Sequence, residues 1–279
     1  MIHIDIHIPF YNFNGDEQRT LLTVKIFKHY KNIRKKFIKR ANITFTLVGS
    51  EGDISKKLAL NYFEENEFEY LEFYQDDPKY LKFFDMFNEK IKNGIQFSRN
   101  KNPDILLTSS SNDYICFDFF DQIIEFYNPS IPQIYGIDNY QNGKNGIYIL
   151  PYDSVENKIY DKKSLWWNGV SNHARRGNLK YCGGIIGINK FVYLKNPEII
   201  NCWDSDEGKT EKNAGKIKNL KKFFSEEVFF INFKTINNNE ITTMDKINKL
   251  DLGRLNFKKD FSKKMRDKIS KELSYFLEL

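Results

Sequence analysis

From Ile2 to Pro9 apolar and polar residues alternate: Ile2, Ile4, Ile6 and Ile8 stand against His3, Asp5 and His7. That is the period of a β-strand, and Pro9 breaks it. Phe10 to Asp16 is a loop rich in turn formers. Glu17 to Arg40 carries Leu22, Ile26, Ile33 and Phe37 on one helical face, with Lys and Arg crowded into the last turns, where the helix dipole favours them. A second strand, Asn42 to Val48, is stopped by Gly49-Ser50-Glu51-Gly52-Asp53. A helix over Ile54–Glu65, a short strand over Phe68–Phe73 and a helix over Lys79–Ser98 follow. An apolar strand, Ile105 to Leu107, then runs out into small hydroxyl residues and a single carboxylate, Asp113, before a helix that reaches Tyr127.

Strands alternating with helices in this way predict βαβ units and a parallel sheet. Right-handed crossovers put the C-terminal ends of such strands on one rim. The rim loops are then 9–14, 49–53 and 109–113. Read as the end of a buried parallel strand, Asp113 lies where open α/β sheets bind ligands, and its oxygens suit a hard divalent cation holding phosphate.

Past Pro129 the rhythm changes. Ile134–Asp138 and Gly146–Leu150 read as strands, Trp166-Trp167-Asn168-Gly169 opens a long loop, and Cys182 to Asn189 is a glycine-studded strand. The lysine-rich stretch up to Lys222 is a solvated face or a lid. Phe224–Phe230 begins an apolar helix or strand. Phe261, Met265, Ile269, Leu273 and Leu277 mark an amphipathic C-terminal helix. With no low-complexity linker, the expected organisation is a single domain over 1–279, a nucleotide-binding half (1–128) followed by a mixed half (129–279).

Composition narrows the classes. The 279 residues are 41% hydrophobic and 29% charged, enough for a real core. Aromatic residues reach 16%, which suits a tightly filled core or a pocket lined with flat faces. A net charge of +6 is mild for a nucleic-acid binder and fits an anionic small ligand. The three cysteines, Cys116, Cys182 and Cys202, form no C-x-x-C pair, so neither a disulfide framework nor a cysteine zinc site is expected. The N-terminus lacks a basic leader and no apolar run approaches the ~20 residues of a membrane span. A soluble intracellular (cytoplasmic) protein is the expectation.

Several segments resemble the GT-A glycosyltransferases, family 2 type. Ile6-His7-Ile8-Pro9-Phe10-Tyr11-Asn12 is similar to that family's opening strand. Lys92-Asn93-Gly94-Ile95 is similar to its Asn-x-Gly-Ile helix end. Asp104 to Ile115 resembles the strand with its Asp-x-Asp metal motif, the first Asp falling on Ser111 so that Asp113 remains. Gly183-Gly184 resembles its acceptor-side glycine pair, and Glu226-Glu227 its late acidic pair. The resemblance implies a GT-A type α/β fold, a mostly parallel sheet flanked by helices with a mixed acceptor-side half. It implies a hexosyltransferase-type enzyme of glycan biosynthesis that uses a nucleotide-sugar donor, a saccharide or glycoconjugate acceptor and Mn²⁺ or Mg²⁺. Pro9, Tyr11, Asn12, Glu51, Asn112 and Asp113 are then candidates for nucleotide-sugar binding, with Asp113 also on the metal. Glu227, with Glu226 beside it, is the candidate general base. Trp166, Trp167, His173, Gly183 and Gly184 are candidates for the acceptor.

Each position has a plainer use. Asp113 is also suited to capping the following helix, Glu226 and Glu227 to a helix start, one Trp to the core and the glycine pair to a bulge. Two rival functions remain: a sugar-phosphate nucleotidyltransferase, for which the loop after the first strand is poor in glycine and basic residues, and a degenerate carbohydrate- or nucleotide-binding module.

Overall fold

The computed structural model describes residues 1–10, 15–73, 83–136, 147–159, 185–196, 215–224, 228–235 and 263–279. The alternating segment is β1 (Ile2–Pro9), which lies between β2 (Ala41–Ser50) and β4 (Ile105–Thr108), parallel to both. β3 (Phe68–Phe73) extends the sheet beyond β2. On the other side β9 (Ile185–Asn189) runs antiparallel to β4, followed by β6 (Gln133–Gly136) and β10 (Lys221–Phe224). The order β10-β6-β9-β4-β1-β2-β3 makes a seven-stranded sheet in which β9 alone among these strands is reversed. This is the mostly parallel, helix-flanked α/β sheet expected from the sequence. Both halves of the chain build it, since β6, β9 and β10 lie beyond residue 129.

The two faces of β1 meet different partners. Ile4, Ile6 and Ile8, with Ile43, Phe45, Leu47 and Leu107, are fully buried against Leu22, Ile26, Phe27 and Ile33 of α1 (Glu17–Phe37). Each such side chain contributes about 1.5–3 kcal/mol on leaving water. The odd-numbered face is polar and buried under α3 (Phe83–Asn100). There Asp5 accepts hydrogen bonds from Thr44 Oγ1 (2.6 Å), Thr46 Oγ1 (2.7 Å), Lys101 Nζ (3.0 Å) and Ser98 Oγ. Burial alone would push its carboxyl up, but Lys101 and the three hydroxyls outweigh that and hold it below the ordinary carboxylate range. His7, the next residue on this face, is fully buried with both ring nitrogens unpartnered. Gly94 of α3 sits directly on the ring; a Cβ there would fall 2.0 Å from His7 Nε2.

A second sheet, β5 (Asp113–Ile115), β11 (Phe230–Thr235), β7 (Ile147–Asp153) and β8 (Lys158–Ile159), packs beside α1. Here the sequence reading needs correcting. Asp113 does not end the strand that begins at Ile105. The chain leaves the main sheet after Thr108, turns through Ser109–Asn112, and Asp113 opens β5, antiparallel to β11. Asn112 drives the exit: its Nδ2 donates to Phe233 O (2.8 Å) while its carbonyl accepts from Phe233 N (2.8 Å).

The C-terminal α6 (Lys263–Glu278) closes this sheet with buried Ile269, Leu273 and Phe276, the last stacked on Phe233 at 4.1 Å. Tyr114 donates to Glu272, and Lys25 of α1 donates to Phe276 O (3.2 Å) and Leu277 O (3.0 Å). α2 (Ile54–Tyr62), α4 (Phe117–Phe126) and α5 (Lys190–Lys195) complete the described helices. The sequence pattern places α1, α2 and α6 correctly and misjudges their ends by a few residues. Part of the lysine-rich stretch is a strand: Lys221, exposed, and Lys222 belong to β10, at the sheet's edge, where lysines discourage pairing with another chain.

Two outcomes follow from this packing. Gly94→Ala should cost about 1–3 kcal/mol in urea denaturation, and adding His7→Ala should recover part of that loss; an equal loss in both backgrounds would rule out the ring contact. Burial holds His7 down to about 4 and His29 to about 3, whereas unfolded histidines titrate near 6.5. The unfolded chain therefore binds more protons over that interval. The stability carried by the neutral rings is complete above about pH 6.5 and drains as pH falls towards the folded values. Urea midpoints taken through that range should show a fall that His29→Phe makes shallower.

Candidate active site at the sheet rim

β1, β2 and β4 are parallel neighbours, so their carboxyl ends share one rim. Pro9 ends β1 there, and Phe10 N still donates to Val48 O (2.7 Å), keeping the exit of β1 against β2. β2 ends at Ser50. Glu51 is exposed, its N–H donating to Phe73 O (2.7 Å), and Gly52 takes φ +69°, a left-handed turn that glycine adopts without strain. Asp53 then caps α2, its Oδ1 accepting from Ser55 N (2.8 Å). Its Oδ2 is buried without a hydrogen-bond partner, and burial pushes the carboxyl above its ordinary value.

Beneath this loop lies Lys90 of α3, fully buried. Its ammonium donates to Phe10 O (3.0 Å) and Ser50 Oγ (2.6 Å), pinning together the ends of β1 and β2. Burial pulls its pKa down to about 8, against the opposing pull of the Asp53 carboxylate. A buried lysine and a buried, half-satisfied carboxylate at one sheet end form a polarised spot where open α/β sheets take ligands.

The third rim segment leads to Asp113. Its backbone oxygen accepts from Tyr30 OH (3.3 Å), and Tyr30 OH also bonds Ser109 Oγ (2.5 Å). Its carboxylate Oδ1 accepts from Asn232 Nδ2 (2.6 Å). Asp113 does not cap α4; the N-cap residue is Cys116, which makes no side-chain cap bond. Asn112 is spent inside the protein, since its Oδ1 accepts from Ser110 Oγ (2.6 Å) and its Nδ2 serves Phe233. Among the described residues no cluster of three His, Cys, Asp or Glu side chains could hold a metal ion. What this corner offers a hard cation is one carboxylate and, on Asn232, a buried amide oxygen without a partner; that oxygen chemistry fits Mg²⁺ or Mn²⁺ when substrate phosphate and water complete the shell.

Of the sequence candidates, Pro9, Glu51, Asn112 and Asp113 lie on this rim or just past it. Tyr11, Asn12, Trp166, Trp167, His173, Gly183, Gly184, Glu226 and Glu227 lie outside the described residues. Val228 and Phe229, which follow the acidic pair, are buried, and Phe229 bonds with Cys116, at the end of β5 away from Asp113. Lys90, Asp53 and Asn232 were missed. A signal for Lys90 existed: Lys90, Gly94 and Ser98 recur every four residues, one helical face, with two small residues and a lysine where a core stripe belongs.

The fold is that of an α/β protein whose parallel strands β1, β2 and β4 share one carboxyl rim. No protein-family model and no curated protein sequence matches the chain. Solved structures similar to it include TarS of S. aureus (12% identity, TM-score 0.43, covering 98% of this chain). Another is 4-diphosphocytidyl-2C-methyl-D-erythritol synthase from Anaerococcus prevotii DSM 20548 (10% identity, TM-score 0.44, covering 89% of this chain and 96% of that one). A third is a glycosyltransferase involved in glycosylation of the major capsid of PBCV-1 (10% identity, TM-score 0.34, covering 88% and 98%). The chain spans 43% of the length of TarS. Among the described residues no helix is long and apolar enough to cross a membrane.

The opposed charges at the rim are testable by themselves. Lys90→Met removes a cation whose field favours the Asp53 carboxylate, and Asp53→Asn removes an anion whose field favours the Lys90 ammonium; both should destabilise. The double variant should lose less than the sum, with a coupling of about 0.5–3 kcal/mol in a urea double-mutant cycle. Strict additivity would separate the two groups.

Proposed function

We propose that the chain is a glycosyltransferase of GT-A type, moving a sugar from a UDP- or GDP-sugar to a hydroxyl of a saccharide or glycoconjugate. The observation that carries this reading is the rim itself. A buried lysine and a buried carboxylate, Lys90 and Asp53, stand at the ends of β1 and β2, and the buried carboxylate of Asp113 lies in the segment that follows β4. The crevice between these strand ends takes the nucleotide, with Pro9, Tyr11, Asn12 and Glu51 in the loops that border it and Lys90 fixing the geometry of two of them. Asp113, with the amide of Asn232 beside it, faces the diphosphate. Mg²⁺ or Mn²⁺ bound at Asp113 supplies charge neutralisation for the leaving diphosphate. Glu227, with Glu226 adjacent, takes the acceptor proton as general base. Trp166, Trp167, His173, Gly183 and Gly184 form the acceptor side.

Thermal-shift measurements over UDP, GDP and their sugars, with and without Mn²⁺, test this reading. A cognate nucleotide at 100 times its Kd adds about 2.7 kcal/mol, and the gain should need Mn²⁺ and vanish in Asp113→Asn. Incubation with the donor should then release the nucleoside diphosphate slowly, as read by chromatography. Pyrophosphate released from a nucleoside triphosphate and a sugar phosphate would make the protein a nucleotidyltransferase instead. Binding that never turns over would make it a binding module.

A further inference from the structure

We infer that Asn232 is a second protein ligand of the cation at Asp113, a neutral oxygen donor that stands in for the carboxylate missing at Ser111. This rests on the reading of Asp113 as a cation-holding residue and extends it to a residue on another strand. Asn232 lies directly opposite Asp113 in the antiparallel pair of β5 and β11, where side chains on one face come within about 5 Å of each other. Its Nδ2 donates to Asp113 Oδ1 at 2.6 Å. That bond fixes which way the amide faces, because turning it over would set its carbonyl oxygen against a carboxylate oxygen.

The consequence is an oxygen with nothing to accept. Asn232 Oδ1 is buried and has no hydrogen-bond partner. A buried acceptor left this way keeps an uncompensated desolvation penalty, and it sits one amide width from a carboxylate. The amide donor from the same turn, Asn112 Nδ2, is already committed to Phe233 O. An apolar residue would fill the position without that cost, and a serine would satisfy itself more easily. A carboxylate and an unserved amide oxygen, side by side, form a donor pair for a hard cation.

The frame is rigid enough for the purpose. β11 is hydrogen-bonded on both sides, to β5 and to β7, so Asn232 is held from two directions. Ser111, where the first acid of an Asp-x-Asp motif would fall, is buried and uncharged. The site therefore carries one negative charge from this motif, and Asn232 adds coordination without adding a second. A cation should bind loosely to the free protein and more firmly once a diphosphate brings its own charge.

The test is Mn²⁺ alone, titrated into the full chain and followed by the electron-paramagnetic-resonance signal of free Mn²⁺, with circular dichroism confirming folding. Asn232→Ala should weaken Mn²⁺ about tenfold, within the range seen when groups around a metal are removed. Asn232→Asp should act in the opposite sense: the metal-free protein melts lower, because two carboxylates now face each other, and Mn²⁺ binds more tightly than to the wild type. A residue that merely braced β5 would not produce that reversal. If Asp113→Asn abolishes binding while both Asn232 variants bind like the wild type, the assignment of Asn232 is overturned and the cation at Asp113 stands. If the wild type binds no Mn²⁺, or Asp113→Asn binds it unchanged, both fall. Should Asn232→Ala not fold, Asn232→Asp decides by itself: affinity equal to or below the wild type overturns the assignment.

Discussion

A single water-excluded carboxylate, Asp5, holds the architecture on which the rim depends. In a sheet covered on both faces, a charge in the middle strand is costly unless it is paired and fully hydrogen-bonded. Asp5 meets both conditions: two threonines from β2, a serine from α3 and Lys101 just past it converge on its two oxygens. Lys101 also donates to Phe45 O (2.8 Å), so the same ammonium ties the seam to the backbone of β2. An apolar contact would tolerate sliding of α3 along the sheet, whereas this set of directed bonds has one register.

That register continues towards the rim. Four residues at a time along α3, Ser98 serves Asp5, Gly94 lies on His7, and Lys90 reaches the ends of β1 and β2. A polar seam thus runs from the middle of the sheet to its carboxyl rim, all on one face, while the opposite face is built from isoleucine, leucine and phenylalanine. The division of labour is physical: the apolar face supplies burial, and the polar face supplies position. Isolated buried polar groups that remain, His7 and Thr108 Oγ1 among them, lie close to where β1 and β4 leave the sheet.

Much of this was legible in the residue pattern. The period of two from Ile2 to Pro9 marked β1 to the residue, and the β–α rhythm to Tyr127 implied a parallel sheet. What the pattern hid was long-range. Asp113 reads as the rim end of the strand that begins at Ile105 because nothing local marks a change of sheet; the change is made by Asn112, whose partner Phe233 lies far along the chain. For Lys90 the spacing with Gly94 and Ser98 marks an unusual helical face, but its partners, Phe10 O and Ser50 Oγ, are set by the fold. Asn232 carried no signal, since its meaning comes only from the residue across the ladder. The change of rhythm after Pro129 is real in composition, yet strands from both sides of it share both sheets.

The way α6 is fastened has a consequence for the order in which the molecule is made. The strand that bears Asp113 is covered by Phe276 and Glu272 and by α1, and α1 in turn grips the final turn of α6 through Lys25 and Lys28. These contacts join segments some 250 residues apart. During synthesis the first three parallel strands have their helices at hand early, while β5 waits for β11 and then for α6. The corner holding Asp113 is therefore sealed only once α6 is available, well after β1, β2 and β4 have come together.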